Sequence, residues 1–76
     1  MDRMHRNILL KKLGARIRGL RVARAESQEA LAERSGLHRN FIGGIERGER
    51  NVTIQSLHRI AKALRVSMRD LVDDIE

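Results

Sequence analysis

The segment Ser27–Arg50, SQEALAERSGLHRNFIGGIERGER, decides the fold. It reads as two short helices joined by a tight turn and followed by an arginine-bearing loop. Ser27 is a good N-cap, because its hydroxyl can accept a hydrogen bond from one of the orphan amides that open a helix, so a helix begins at Gln28. Ala30, Leu31 and Ala32 supply small apolar packing surface. Gly36 stands where a helix stops in a left-handed conformation. Leu37 lies in the turn, and Phe41, Ile42 and Ile45 follow it at the spacing of one helical face, which predicts a second helix from about His38 to Glu46.

The remaining face of that second helix carries Arg39, Asn40, Gly43, Gly44 and Arg47, residues that either donate hydrogen bonds or are very small. A helix lying in the DNA major groove needs long donors at its N-terminal end and little bulk where the groove walls come close. Arg39 is the first choice for reading a base, since its guanidinium fork can bond guanine O6 and N7 together, and Asn40 is the second, for adenine or a phosphate. The plain alternative for both is a solvated helix face. His38 occupies the N-cap, where Ser, Thr or Asp caps better. A protonated His38 would add a phosphate contact below about pH 6.5.

The spacing of Gln28, Ala32-Glu33, Ser35-Gly36, Leu37, Ile42 and Ile45-Glu46-Arg47-Gly48 resembles the helix-turn-helix of the lambdoid phage repressors and of the wider xenobiotic-response-element regulators. Within that family, ERSGLHRNFIGGIERGERNVTIQSL is most like the controller proteins of restriction-modification systems. The resemblance covers residues 13–72. It implies an all-α, five-helix, lambda-repressor-like domain and a sequence-specific regulator of transcription, dimeric on an inverted-repeat operator in double-stranded DNA. It further implies that Gln28 holds a DNA phosphate, that Arg21 pairs with Glu46 to fix the recognition helix to its scaffold, and that Arg50 meets the DNA. Arg47 and Asn51 join it from the same loop, with ordinary surface charge as the alternative for the two arginines. Phage repressors carry a base-reading side chain at the position of Gly44, so direct readout here is expected to be sparse and DNA shape correspondingly important. The family usually has Gly and an apolar residue just before the N-cap, whereas this chain has Ala25 and Glu26. The entry to the second helix is therefore expected to lack a hydrophobic staple and to be looser than usual.

Composition agrees with a nucleic-acid partner. The net charge is +6, and residues 1–25 hold eight Lys or Arg against one Asp. A basic balance favours polyanions, although a solvated basic helix gives the same count. There is no Cys, and His5, His38 and His58 share no ligand spacing, so no metal or cofactor is expected. No P-loop or nucleophile elbow appears, and no enzyme is expected. No apolar run approaches a membrane span or a signal-peptide core, which predicts a cytoplasmic, nucleoid-associated protein. One Phe with no Trp or Tyr means an aliphatic core.

Along the rest of the chain, residues 1–9 read as an N-terminal arm in which Arg3 and Arg6 could reach a groove or phosphates, and 10–76 as the domain, with the helix-turn-helix at 27–47. A first helix runs from about Leu10 to Arg24 with Leu13, Ile17 and Leu20 on one stripe. Gly14 and Gly19 weaken it, and close packing is a reason the sequence leaves open. Thr53 caps a fourth helix, whose Ile54, Leu57, Ile60, Ala61 and Leu64 close the core. Ser67 caps a terminal helix over 68–75, in which Met68, Leu71, Val72 and Ile75 either dock on the chain's own core or, following the family's habit, form a two-fold dimer interface. Two rival functions remain at this stage: an antitoxin-type module whose main ligand is a toxin or another protein such as a polymerase subunit, and a nonspecific nucleic-acid binder.

Overall fold

A computed structural model describes the backbone of residues 3–75 and the side chains of residues 7–75. Among the described residues five helices follow one another with no strand: α1 (Arg3–Ala23), α2 (Gln28–Ser35), α3 (Arg39–Glu46), α4 (Ile54–Leu64) and α5 (Met68–Val72). No described helix is long and apolar enough to cross a membrane. Helix α3 lies between α1 and α2, α2 also leans on α4, and α5 closes the bundle against α1 and α4. Leu13, Ile17, Leu31, Ile42, Ile45, Leu57, Ile60, Leu64 and Leu71 fill the centre, so every helix sends at least one aliphatic side chain inward.

Local chemistry explains the boundaries. Ser27 and Thr53 accept the Ala30 and Ser56 amides at 3.0 Å, while Ser67 and Asp70 exchange bonds of 3.0 Å in a reciprocal capping box. Gly36 ends α2 at φ 73°. Gly48 turns the chain out of α3 at φ 75°, and a Cβ there would stand 2.8 Å from the Lys11 Cα, so α1 runs directly over this loop.

Helix α1 starts at Arg3, ahead of the expected Leu10, so residues 3–9 continue the helix and do not form a separate arm. The stretch lacks an apolar period but also lacks Gly and Pro, and Ile8-Leu9-Leu10-Lys11-Lys12 consists mostly of good helix formers. The side chains of Arg3 and Arg6, like Met1 and Asp2 altogether, lie outside the described residues.

The entry to α2 is tied more tightly than its sequence suggests. Glu26 bonds Arg24 and Arg34, each at 2.7 Å, and its backbone carbonyl accepts from Arg21 Nη1 at 2.6 Å. An ionic staple takes the place of the apolar one. Those two guanidinium groups, Arg24 before Arg34, hold the Glu26 carboxyl below its ordinary pKa. Ala25, however, adopts φ 57°, the left-handed region in which a Cβ costs about 1–2 kcal/mol. Ala25→Gly is therefore expected to raise stability by about 1 kcal/mol, read as a higher urea midpoint at unchanged slope.

The terminal helix ends at Val72, short of residue 75, because Asp73 is extended and Asp74 takes φ 58°. Arg16 holds this end in place. Its two terminal nitrogens donate to the carbonyls of Asp70 at 2.6 Å and Asp73 at 2.8 Å, which supplies partners for orphan carbonyls at a helix C-terminus. Leu71 is completely enclosed by its own chain, so it is core and cannot present surface to a second subunit. Met68 and Ile75 are half-buried against the same core, and Val72 alone of the four stands exposed.

Candidate nucleic-acid interface

The recognition helix is anchored by one carboxylate. Glu46 accepts from Arg21 Nε at 2.6 Å and Nη2 at 2.9 Å, a two-pronged pair between side chains almost removed from solvent. The same Oε1 accepts from Gln28 Nε2 at 3.0 Å. The hydrogen bond to Glu46 raises the Arg21 pKa above its already high ordinary value despite the opposing cost of burial, so the guanidinium stays charged. Three elements therefore meet at one group: the end of α1, the start of α2 and the last turn of α3. A Cβ on Gly14 would approach the Glu46 carbonyl oxygen to 2.7 Å, which shows how closely α1 and α3 pass.

This tie also positions Gln28. One amide N–H is committed to Glu46, and the second N–H of the same nitrogen is left at the N-terminus of α2, where helix amides favour an anion. Arg39 and Asn40 occupy the exposed first turn of α3. Arg39 Nε bonds Glu29 Oε2 at 3.1 Å, between two well exposed side chains. Such a pair contributes little and gives way readily to a stronger acceptor. The Glu29 carboxyl is held below its ordinary pKa, first by a backbone hydrogen bond and then by Arg39. Glu29 was not legible as a site residue, since an acidic group in the first turn of a helix is ordinary dipole complementation.

His38 caps α3 by accepting the Asn40 amide at Nδ1, 3.1 Å. His38 stands exposed at the start of α3, beside Arg39 and Asn40.

Gly43 and Gly44, expected on the groove-facing side of α3, are both buried. A Cβ on Gly43 would stand 3.1 Å from Arg47 Nη1 and 3.5 Å from Gln28 Oε1. At Gly44 it would stand 2.6 Å from the Arg50 Cγ. The missing side chains leave room for two arginines of the following loop to fold back over α3, so Gln28, Arg47 and Arg50 converge on one side of the helix. Arg47 also bonds Glu49 at 3.0 Å, both exposed. Asn51 is exposed and joins Arg47, Asn7 and Lys11 around an open cleft of about 420 Å³. Sequence reasoning missed Asn7 and Lys11 here: Asn7 reads as part of the arm, and nothing local in the sequence places Lys11 over the Gly48 loop.

Residues 17–71 match the helix-turn-helix family. The chain is 50% identical over 60 residues to control protein C.SmaI of Serratia marcescens, covering 79% of this chain and 71% of that protein. It superposes on the restriction-modification controller protein C.AhdI from Aeromonas hydrophila with a TM-score of 0.81 at 48% identity, covering 82% and 94% of the two chains. A structure of the controller protein C.Esp1396I, a tetramer in complex with its natural 35 base-pair operator, gives a TM-score of 0.78 at 42% identity over 88% of this chain and 93% of that one. This chain belongs to the helix-turn-helix family.

Proposed function

We infer that this chain is a DNA-binding transcriptional regulator of the controller type, acting as a dimer on an inverted-repeat operator. One observation carries the reading: α3 is buried along most of its length, yet its first turn stands clear with Arg39 and Asn40 exposed, flanked by Gln28, Arg47 and Arg50. That arrangement supplies base-reading donors at the tip and phosphate-binding donors on the flank. Kinship with control proteins, one of them solved on its operator, supports the same reading. Val72, with the half-buried Met68 and Ile75 beside it, is the part of α5 available to a second subunit.

Selection of bound duplexes from random DNA at about 150 mM salt tests the proposal. An enriched inverted repeat with half-sites about 10 bp apart, or a near multiple, is expected. Binding without enrichment would instead establish a nonspecific binder, a reading favoured by Gly44, which stands where phage repressors carry a further base-reading side chain. Arg39→Ala is expected to cost about 1–3 kcal/mol on the selected site and to relax preference at one base pair, whereas Gln28→Ala weakens all sequences alike. Unchanged affinity and preference in Arg39→Ala would rule out this docking.

A further inference from the structure

Away from the recognition helix, the C-terminal halves of α2 and α4 enclose a second open cleft of about 370 Å³ whose charged lining is wholly basic: Arg34, Arg59, Lys62 and Arg65. Ser35 and Ala63 form its floor. We propose that this cleft binds a phosphate-bearing anion.

Arg34 reaches Glu26 at 2.7 Å, but no ion pair involves Arg59, Lys62 or Arg65 among the described residues. Arg59 and Lys62 are spaced i, i+3 on one helix, a like-charge arrangement that weakens it. Arg65 stands at the C-cap of α4 with φ 59° and ψ 40°, the left-handed position where glycine is the unstrained choice. A helix C-terminus accounts for a cation or two nearby. It does not account for an arginine in left-handed backbone, nor for four cations lining one cleft from two helices. Guanidinium forks together with an ammonium on one cleft suit the oxygens of a phosphate group.

The anion has two possible sources, a DNA backbone phosphate or a free phosphorylated small molecule. Inorganic pyrophosphate is the probe, titrated into the full-length protein and followed by amide NMR shifts. Saturable shifts at residues 34, 59, 62 and 65 are expected, with a roughly tenfold affinity loss in Arg59→Ala. Shifts confined to α1 and α3, or none at all, would overturn the proposal. So would saturation by a polyglutamate peptide where pyrophosphate gives none, since the cleft would then serve an acidic protein segment. Arg65→Gly separates binding from folding: it is expected to raise the melting temperature and still lose pyrophosphate affinity, and full affinity in that variant would count against the assignment. If DNA is the source, Arg59→Ala also lowers the salt dependence of duplex binding and pyrophosphate competes with the duplex. If a small molecule is the source, duplex binding is unchanged and both ligands bind together.

Discussion

Glu46→Ala is expected to cost about 3–5 kcal/mol, because it strands the buried Arg21 guanidinium and leaves a Gln28 donor unpaired. Against a typical total of about 5–15 kcal/mol, that is a large share of the stability of so small a domain. The melting temperature should fall by about 4–8 °C for each kcal/mol lost. Removing both charges tells a different story. Arg21→Met combined with Glu46→Leu puts apolar bulk where the pair stood and is expected to recover much of the loss, since no charge is then left buried alone. DNA binding should not recover with it, as Gln28 has lost the carboxylate that aims it. Thermal melts and operator titrations on the two single variants and the double variant separate these contributions. A single-variant cost under about 1 kcal/mol would mean that the pair is solvated.

The second large effect comes from one methyl group placed at two positions of the same helix. Gly14→Ala drives a Cβ into the carbonyl oxygens of Ile45 and Glu46. Neither is the end of a flexible side chain, so α1 and α3 must separate, at a cost of about 1–3 kcal/mol or more. Gly19 faces open space, with nothing within 4 Å of an added Cβ. Gly19→Ala is therefore expected to stabilise α1 by up to about 1 kcal/mol. Urea unfolding of the two variants should give midpoint shifts of opposite sign. Shifts of the same sign would refute the close approach of α1 to α3.

These contrasts mark how far the amino-acid order can be followed unaided. The helix-turn-helix was legible because its signals are local: Ser27 caps, Gly36 turns, and Leu37, Phe41, Ile42 and Ile45 share a face. The pairing of Arg21 with Glu46 came from family resemblance and is present at bonding distance. Gly14 and Gly19 look alike in sequence, and only the approach of α3 distinguishes them. The ionic staple at Glu26 stayed hidden because Arg24 meets it from the turn after α1 and Arg34 from the far end of α2. Leu71 and Val72 are neighbours on one short amphipathic helix, and periodicity does not say whether an apolar residue faces its own core or a partner's. The grip of Arg16 on the terminal helix depends on backbone carbonyls more than fifty residues away, for which side-chain identity leaves no trace.

The folding of Arg47 and Arg50 over Gly43 and Gly44 bears on how such a regulator acquires a new target. A protein that reads bases from mid-helix must alter its recognition helix to change preference, and each change risks the packing beneath. On the docking proposed above, part of the contact surface would be lent by Arg47, Arg50 and Asn51, exposed residues that lie outside the core. Under that docking, a combinatorial library aimed at a foreign operator belongs at positions 47, 50 and 51, with residues 43 and 44 held as glycine to keep room for the two arginines.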